Sequence, residues 1–547
     1  MKIAIAQINP IIADIEGNKQ KIISFVDRAK EENVELIIFP EMAVIGYPPM
    51  DLLDNHKLID DNLLSINEIA THSRDIAIIC GYVEYSHNSP LLYNSAAFMT
   101  DGMILSSHQK TLLPTYDVFD EVRYFQQAEL QRPIEFAGKR IGITICEDIW
   151  NDQDYENRAF IENRKYNSDP IQNLCNMNID LLINISASPY ISGKNTKKWE
   201  MISKIAKKYS IPIIYTNQVG GNDSLIFDGN SFVVNSNGEF IAKAERFQED
   251  MLIVDDLNSK SALYPKEEGM EDIRRALILG IRDYVQKCGF SDVVVGLSGG
   301  IDSALTAALA VQALGAEHVI GITMPSDYSS EGSVTDSMKL AKNLGIRIEK
   351  IPISDIFSKY KEFLKDIFKS LPENVAEENI QARVRGNILM AVTNKFGSLL
   401  LTTGNKSELA MGYCTLYGDM AGGLAVISDL PKMYVYSLSE HINREKEIIP
   451  IETIRKPPSA ELRENQKDED SLPPYDLLDN ILERYIEKKM SAKEIISEGF
   501  PEEIVIDVLR NVNRNEYKRL QAPPGLKVTS KAFGFGRRFP IAHKYKS

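Results

Sequence analysis

Short apolar runs recur through the first half of the chain: IAIAQ, LIIFPE, IAIIC, IGITICED, LLINIS, IPIIYTNQ and SFVVN. They are short and rich in β-branched residues, so each predicts a buried strand. Between them, stretches such as Asn18 to Lys30 and Lys197 to Tyr209 place apolar residues three and four apart, the spacing of one helix face. A continuously apolar strand needs cover on both sides, and these helices supply it. Residues 1–255 are therefore expected to form an α/β domain.

The pattern breaks at DDLNSKSALYPKEEGMED, where Asn258, Pro265 and Gly269 interrupt a hydrophilic stretch, and a linker is expected at 256–270. Beyond it, over 271–547, the alternation resumes: a helix around Asp272 to Lys287, strand VVVGL, a helix from Asp302, strand VIGITM, a helix from Ser333 to Leu344 and strand RIEKIPI. Strands alternating with helices at this spacing predict a doubly wound parallel sheet. In the last of those helices Ser333 and Asp336 are spaced as a capping box, and Val334, Met338 and Ala341 are expected on its packed face. No repeat of fixed period is visible, which sets solenoids and propellers aside.

Composition narrows the class. A length of 547 residues exceeds what one growing core supports and asks for two or more domains. The 44% apolar and 25% charged residues are those of a globular chain, not a disordered one. With 62 Lys and Arg against 77 Asp and Glu, the formal charge of -15 excludes a broad nucleic-acid surface. Five scattered cysteines suit neither a disulfide framework nor a metal cluster, and point to a reducing compartment. The start MKIAIAQINPIIADIEG is broken by Gln7, Asn9, Pro10 and Asp14, and no run reaches 18 apolar residues. The expectation is a cytoplasmic chain with no membrane and no nucleic-acid partner.

Three strand ends in the first half finish on reactive side chains: Glu41 after LIIFP, Lys110 after ILSSHQ and Cys146 after IGITI. Attack on an amide carbonyl needs a nucleophile, a base for its proton and a donor for the developing oxyanion, with a cation to favour the thiolate. Individually the residues are equally compatible with a small buried hydrophobe, a turn and a solvated strand end. Together, FPEM, HQKTLLP and CEDIW resemble the catalytic segments of the nitrilase superfamily. That resemblance implies an α-β-β-α sandwich in which Cys146 is the nucleophile, Glu41 the general base and Lys110 the stabiliser of the tetrahedral intermediate. It also implies a supporting role for Glu121, in FDEVRYF. The segments TYDVFDEVRYF and SASPYISGK are similar to those of the glutamine-dependent branch and imply glutamine contacts at Tyr116, Ser188 and Lys194. The family often has arginine where Lys194 stands, so a bidentate clamp becomes a point-charge contact.

In the second half, VVVGLSGGIDSALTAALAV reads strand, glycine-rich turn, helix. Gly299 and Gly300 allow close backbone approach, and Ser298, Ser303 and the helix N-terminus offer donors to phosphate. The motif lacks the lysine of a Walker loop. It resembles the N-type ATP pyrophosphatases, which split ATP between the α and β phosphates and adenylate a substrate. Gly296, Leu297, Ser298, Gly299, Gly300, Ile301, Asp302 and Ser303 are the implied ATP loop. Further on, ENIQARVRGNILM, LLLTTGNKSELAMGYCTLYGDMAGG, SDLPKMYVY and the tail KRLQAPPGLKVTSKAFGFGRR are similar to NAD synthetases. With the nitrilase-like half this is the glutamine-dependent arrangement of that family, over nearly the whole chain.

The resemblance implies ATP contacts at Thr403 and Lys432, deamido-NAD contacts at Asn379, Arg383, Glu408 and Lys518, and magnesium held by Asp302 and Glu408. Taken alone, these read more readily as exposed helix polar residues, solvated lysines and a helix cap. The implied reaction is ATP-dependent amidation of deamido-NAD to NAD, the last step of NAD biosynthesis, with ammonia from glutamine and release of AMP, pyrophosphate and glutamate. A homo-oligomer is implied as well. Two local features add to this reading. From Lys518 to Ser547 there are eight Lys or Arg and no Asp or Glu, a segment suited to a phosphate-bearing ligand. LRENQKDEDSLPPYD, dense in charge with paired prolines, is expected to be a mobile loop.

Overall fold

A computed structural model describes residues 1–86, 89–150, 166–259, 265–369, 371–464 and 466–544. The chain divides into two compact units, Met1–Glu268 and Gly269–Ser547. The expected linker straddles this division, and its residues 260–264 lie outside the described ones.

In the first unit, β1 (Ile3–Gln7), β2 (Leu36–Ile38) and β3 (Ala77–Tyr85) run parallel. β4 (Leu92–Thr100) and β5 (Met103–Gln109) extend this sheet antiparallel. A second sheet begins with the hairpin β6 (Ile134–Phe136) and β7 (Lys139–Ile145), and β8 (Leu181–Ser186) and β9 (Ile213–Asn217) join β7 in parallel. A separate hairpin, β10 (Val219–Asn222) with β11 (Leu225–Asp228), precedes β12 (Phe232–Val234) and β13 (Phe240–Lys243), which finish the second sheet. β14 (Asp250–Val254) then returns to pair with β1.

The alternation of side chains along these strands decides the layers. Ile3, Ile5, Ile38 and Ile79 of the first sheet share a core with Ile143, Ile183, Ile185 and Ile214 of the second. Their neighbours Ala4, Ile37 and Ile78 face outward onto α1 (Ile15–Glu31) and α2 (His56–Thr71). Leu182, Ile213 and Phe232 likewise face α3 (Pro170–Cys175) and α4 (Lys194–Tyr209). The unit is an α-β-β-α sandwich, as expected.

In the second unit, after α5 (Met270–Lys287), come β15 (Val293–Gly296), α6 (Ile301–Leu314), β16 (Val319–Thr323), α7 (Glu331–Leu344) and β17 (Arg347–Lys350). α8 (Ser354–Phe368) and α9 (Val375–Phe396) lead to β18 (Leu399–Thr402), α10 (Lys406–Met411), β19 (Leu424–Ala425) and α11 (Lys432–Ile442). The five strands are parallel in the order β17-β16-β15-β18-β19. The order reverses at β15, so a crevice opens at the carboxyl ends of β15 and β18, where open α/β sheets bind ligands. Phe357, Ile380 and Val384 cover one face of the sheet over Val294, Ile322 and Leu400.

α7 departs from its sequence reading. The cap is Ser330, whose side chain accepts from the Ser333 amide, so the helix starts before Ser333. Its buried residues are Ser333, Asp336, Ser337, Leu340 and Ala341, while Met338 is exposed. The small polar residues face inward because this end of the helix packs on the glycine-rich turn, which has no room for larger ones. Among the described residues no helix is long and apolar enough to cross a membrane.

Candidate functional site

Glu41, Lys110 and Cys146 leave the ends of β2, β5 and β7, and the first unit brings them together in its interior. Lys110 is wholly buried, and its Nζ donates to Glu41 Oε1 and to Glu121 Oε1, both at 2.8 Å. The other donors to Glu41 are fixed too: Asn94 Nδ2 at 2.7 Å on Oε1, and the Ala187 amide at 2.7 Å on Oε2. Tyr47 donates its hydroxyl to Glu121 Oε1 at 2.9 Å. A buried cation is tolerable only with such partners. Burial alone would lower the pKa of Lys110, but Glu121 and Glu41 override it and hold the ammonium well above its usual range. Burial pushes Glu121 up to about 7, against the pull of Lys110.

Cys146 sits at φ +46°, a left-handed conformation that costs a non-glycine residue about 1–2 kcal/mol. The short 3-10 turn Cys146–Ile149 is held by Asp148. Its Oδ2 accepts from the Ile145 amide at 3.0 Å, and its Oδ1 from the amides of Thr111 and Leu112 at 3.1 and 2.8 Å. One carboxylate thus ties the Cys146 turn to the segment that follows Lys110. Burial, and next the Glu41 carboxylate, push the Cys146 thiol well above its ordinary pKa, with Lys110 opposing. The sequence reading asked for a cation to favour the thiolate; in the resting site the carboxylates and burial outweigh it.

The proposed glutamine contacts border this site. Tyr116 donates to Glu147 Oε2 at 2.8 Å, and Tyr166 to Glu147 Oε1 at 3.0 Å, next in sequence to Cys146. Ser188 is buried, and Lys194 Nζ donates to its hydroxyl at 2.8 Å and to the Pro189 carbonyl at 3.3 Å. One helical turn on, Lys198 is also buried, with its ammonium 4.9 Å from the centre of the Tyr215 ring.

In the second unit the crevice is a cavity of about 300 Å³ lined by Gly296, Leu297, Ser298, Gly300, Ile301, Asp302 and Ser303, and by Thr403, Glu408 and Lys432. Gly299 lies behind it at φ +79°, where an added Cβ would fall 2.3 Å from the Ser333 carbonyl oxygen. Only glycine lets this turn pack against α7. The turn is braced internally: the Gly300 amide donates to Ser298 Oγ at 3.2 Å, and Ser303 Oγ donates to the Gly300 carbonyl at 3.0 Å. α6 begins at Ile301 with no side-chain cap, which leaves its first amides for a ligand.

Asp302 and Glu408 face a common point. Lys432 Nζ lies 2.5 Å from Asp302 Oδ2 and 3.4 Å from Glu408 Oε1. Burial, and next Asp302, raise Glu408 to about 8, while Lys432 opposes. Burial would lower Lys432, but the two carboxylates hold it above its usual range. An oxygen-only pair around one cation position suits a hard divalent ion that completes its shell with phosphate and water. Among the described residues no group of three or more His, Cys, Asp or Glu is placed to hold a metal.

Asn379, Arg383 and Lys518 do not line this cavity. They gather instead on the segment from Gly412 to Leu416. Thr415 donates to Asn379 Oδ1 at 2.7 Å, the exposed Arg383 donates to the Leu416 carbonyl at 3.2 Å, and Lys518 donates to the carbonyls of Gly412 and Cys414 at 2.7 and 2.9 Å. The cavity takes Ala382, Arg385, Gly386 and Leu389 from the same helix. Other cations of the basic segment are used internally too: Arg519 bonds the carbonyls of Leu409 and Ala410, and both Arg519 and Arg537 bond Glu516. The charged loop after Pro458 already forms part of the cavity wall through Glu461, Leu462 and Asp468; its Asn465 lies outside the described residues.

Sequence reading missed Asn94, Asp148, Lys198 and Asn405. Asp148 lies within the CEDIW segment, and Asn405 opens an N-x-x-E capping pattern, so both carried a signal. Asn94 and Lys198 carried none, because only the fold brings them to the site.

A carbon-nitrogen hydrolase family model matches residues 2–261, and an NAD synthase family model matches residues 273–522. A glutamine-dependent NAD(+) synthetase of Synechocystis is 48% identical over 99% of both chains. One of Thermotoga maritima is 41% identical over 100% of this chain and 99% of its own. The solved structure of glutamine-dependent NAD+ synthetase from Acinetobacter baumannii in complex with adenosine diphosphate is similar at a TM-score of 0.78 and 41% identity, over 99% of this chain and 98% of that one. With two sites of matching chemistry and full-length similarity of this degree, the chain belongs to the glutamine-dependent NAD(+) synthetase family.

Proposed function

We propose that this chain converts deamido-NAD to NAD with ATP and glutamine, and that the residues described above divide the work between its two units. The observation that carries this reading is the presence on one chain of a buried Glu41–Lys110–Glu121 cluster at Cys146 and an SGGIDS cavity bearing Asp302 and Glu408.

In the first unit, Cys146 attacks the side-chain amide of glutamine while Glu41 takes the thiol proton. The ammonium of Lys110 faces the oxyanion of the tetrahedral intermediate, and Glu121 keeps it charged and in place. The intermediate collapses with loss of ammonia, Glu41 returning the proton, and water then hydrolyses the thioester to glutamate. Tyr116, Ser188 and Lys194 hold the amino-acid end of the substrate. In support, all three border the catalytic cluster or carry polar groups into its wall.

In the second unit, the amides and hydroxyls of Ser298 to Ser303 hold the phosphates of ATP at the α6 N-terminus. The deamido-NAD carboxylate attacks the α-phosphorus, pyrophosphate leaves, and ammonia displaces AMP from the acyl adenylate. A carboxylate is a poor electrophile, which is why adenylation has to come first. Asp302 and Glu408 are the residues that would hold magnesium, which when bound neutralises charge on the phosphates. Lys432, which here bonds both carboxylates, would then face phosphate oxygens. Asn379, Arg383 and Lys518 are assigned to deamido-NAD; in support, they share one segment at the cavity's edge. Assembly as a homo-oligomer in the cytoplasm belongs to the same reading.

The test is stoichiometric. Purified chain given ATP, magnesium, glutamine and deamido-NAD should yield NAD, AMP, pyrophosphate and glutamate in equal amounts. ADP and phosphate in place of AMP and pyrophosphate would overturn the assignment.

A further inference from the structure

Asn405 lies between β18 and α10 and is fully buried. Its side chain and backbone N–H make three hydrogen bonds to the two carboxylate residues assigned above to the metal. Its Nδ2 donates to Asp302 Oδ1 at 2.9 Å. Its Oδ1 accepts from the Glu408 amide at 3.0 Å. Its own amide donates to Glu408 Oε2 at 3.2 Å. The last two are a capping box that starts α10, and that alone would explain an asparagine here. The first is not part of a cap, and it joins residues 103 positions apart in sequence.

The contacts sort the carboxylate oxygens. Asn405 occupies Oδ1 of Asp302 and Oε2 of Glu408. The oxygens left over, Oδ2 of Asp302 and Oε1 of Glu408, are the two that meet Lys432 Nζ. A carboxylate rotates about its last bond, and two carboxylates around one point repel each other unless something holds them. Asn405 holds one oxygen of each from behind, that of Asp302 through its side-chain amide and that of Glu408 through its backbone N–H, so the other two converge on one cation position. The side chain suits this task because its amide nitrogen donates to the Asp302 carboxylate while its carbonyl accepts from the Glu408 backbone N–H. An aspartate would cap the helix but donate nothing, and a serine would cap it without reaching Asp302.

We infer that Asn405 is a positioning residue that aims Asp302 and Glu408 at a single divalent cation. The inference rests on the reading of those two residues as the metal carboxylates. Partners of this kind, one bond behind the ligands, are worth about 10- to 100-fold in metal affinity or activity.

The experiment uses the full-length chain without substrates and follows Mn²⁺ binding by the loss of the free-ion electron paramagnetic resonance signal, with thermal unfolding alongside. Asn405→Ser and Asn405→Asp keep a capping side chain, Asn405→Ala removes it, and Asp302→Asn and Glu408→Gln remove the carboxylates. The expected result is Mn²⁺ affinity lowered about 10-fold or more in Asn405→Ser and Asn405→Asp, as well as in the carboxylate variants. Only Asn405→Ala should also lose unfolding temperature through the cap. Ammonia-dependent synthesis by Asn405→Ser should need a correspondingly higher magnesium concentration for half its maximal rate. If Asn405→Ser binds Mn²⁺ as the unaltered chain does while Asp302→Asn does not, the positioning role is wrong and the metal reading stands. If neither Asp302→Asn nor Glu408→Gln changes Mn²⁺ affinity, the metal reading fails and the inference falls with it.

Discussion

The first site is governed by how one lysine is surrounded. Two carboxylates on Lys110 keep it charged in a place where burial would neutralise it, and the same carboxylates raise the thiol of Cys146. On the proposed reading, proton transfer to Glu41 is part of the attack and not a step completed beforehand. Glu41→Gln keeps the size of the side chain and removes the base. Glutamine hydrolysis should fall by about 10²- to 10⁴-fold, while NAD formation from added ammonia continues. Hydrolysis unchanged in this variant would move the base elsewhere. At this scale the sequence was legible where chemistry sits in a distinctive phrase, as with Glu41, Lys110 and Cys146. It was silent where an ordinary residue becomes important by position. Asn94 is one polar residue in the middle of β4, and Lys198 is one of several lysines on α4; nothing local distinguishes either.

Among the elements, the turn between β15 and α6 shows most plainly how packing and function meet. Gly299 has a positive φ and touches the backbone of Ser333, so it serves both the phosphate loop and the seat of α7. Gly299→Ala should strain the turn by about 1–2 kcal/mol from the left-handed conformation alone, with a forced shift of α7 in addition. Ammonia-dependent synthesis should fall at least tenfold with a raised KM for ATP, while basal glutamine hydrolysis persists. A wild-type ATP response would show that the turn is not the phosphate loop. Continuous apolar runs made β1, β2, β7, β8, β9 and β12 readable in advance, and the helix-strand alternation gave the parallel sheet. β13 and most of β14 are only half-buried, and sequence reading passed over them although they carry the apolar runs FIA and MLIV. The start of α7 was misplaced because Ser330 and Ser333 both suit a cap, and only the packing on Gly299 selects between them.

For the molecule as a whole, length asked for two or more domains and motif placement put different chemistry in each half; the structure divides at Glu268 and Gly269. A net charge of -15 gave no hint of anionic substrates, because the cations at the two sites are few and several are buried, as Lys110, Lys198 and Lys432 are. The basic C-terminal segment looked like a phosphate-binding surface in composition, yet Arg519 and Arg537 spend their charge on Glu516. Where a cation points is decided by tertiary contacts and not by its neighbours in sequence. The central claim is that the two units carry separable half-reactions on one chain. Cys146→Ala tests it most directly when NAD formation is measured with glutamine and, separately, with ammonia. Synthesis should vanish with glutamine and remain near the unaltered rate with ammonia; loss of both activities in a folded variant would contradict the account.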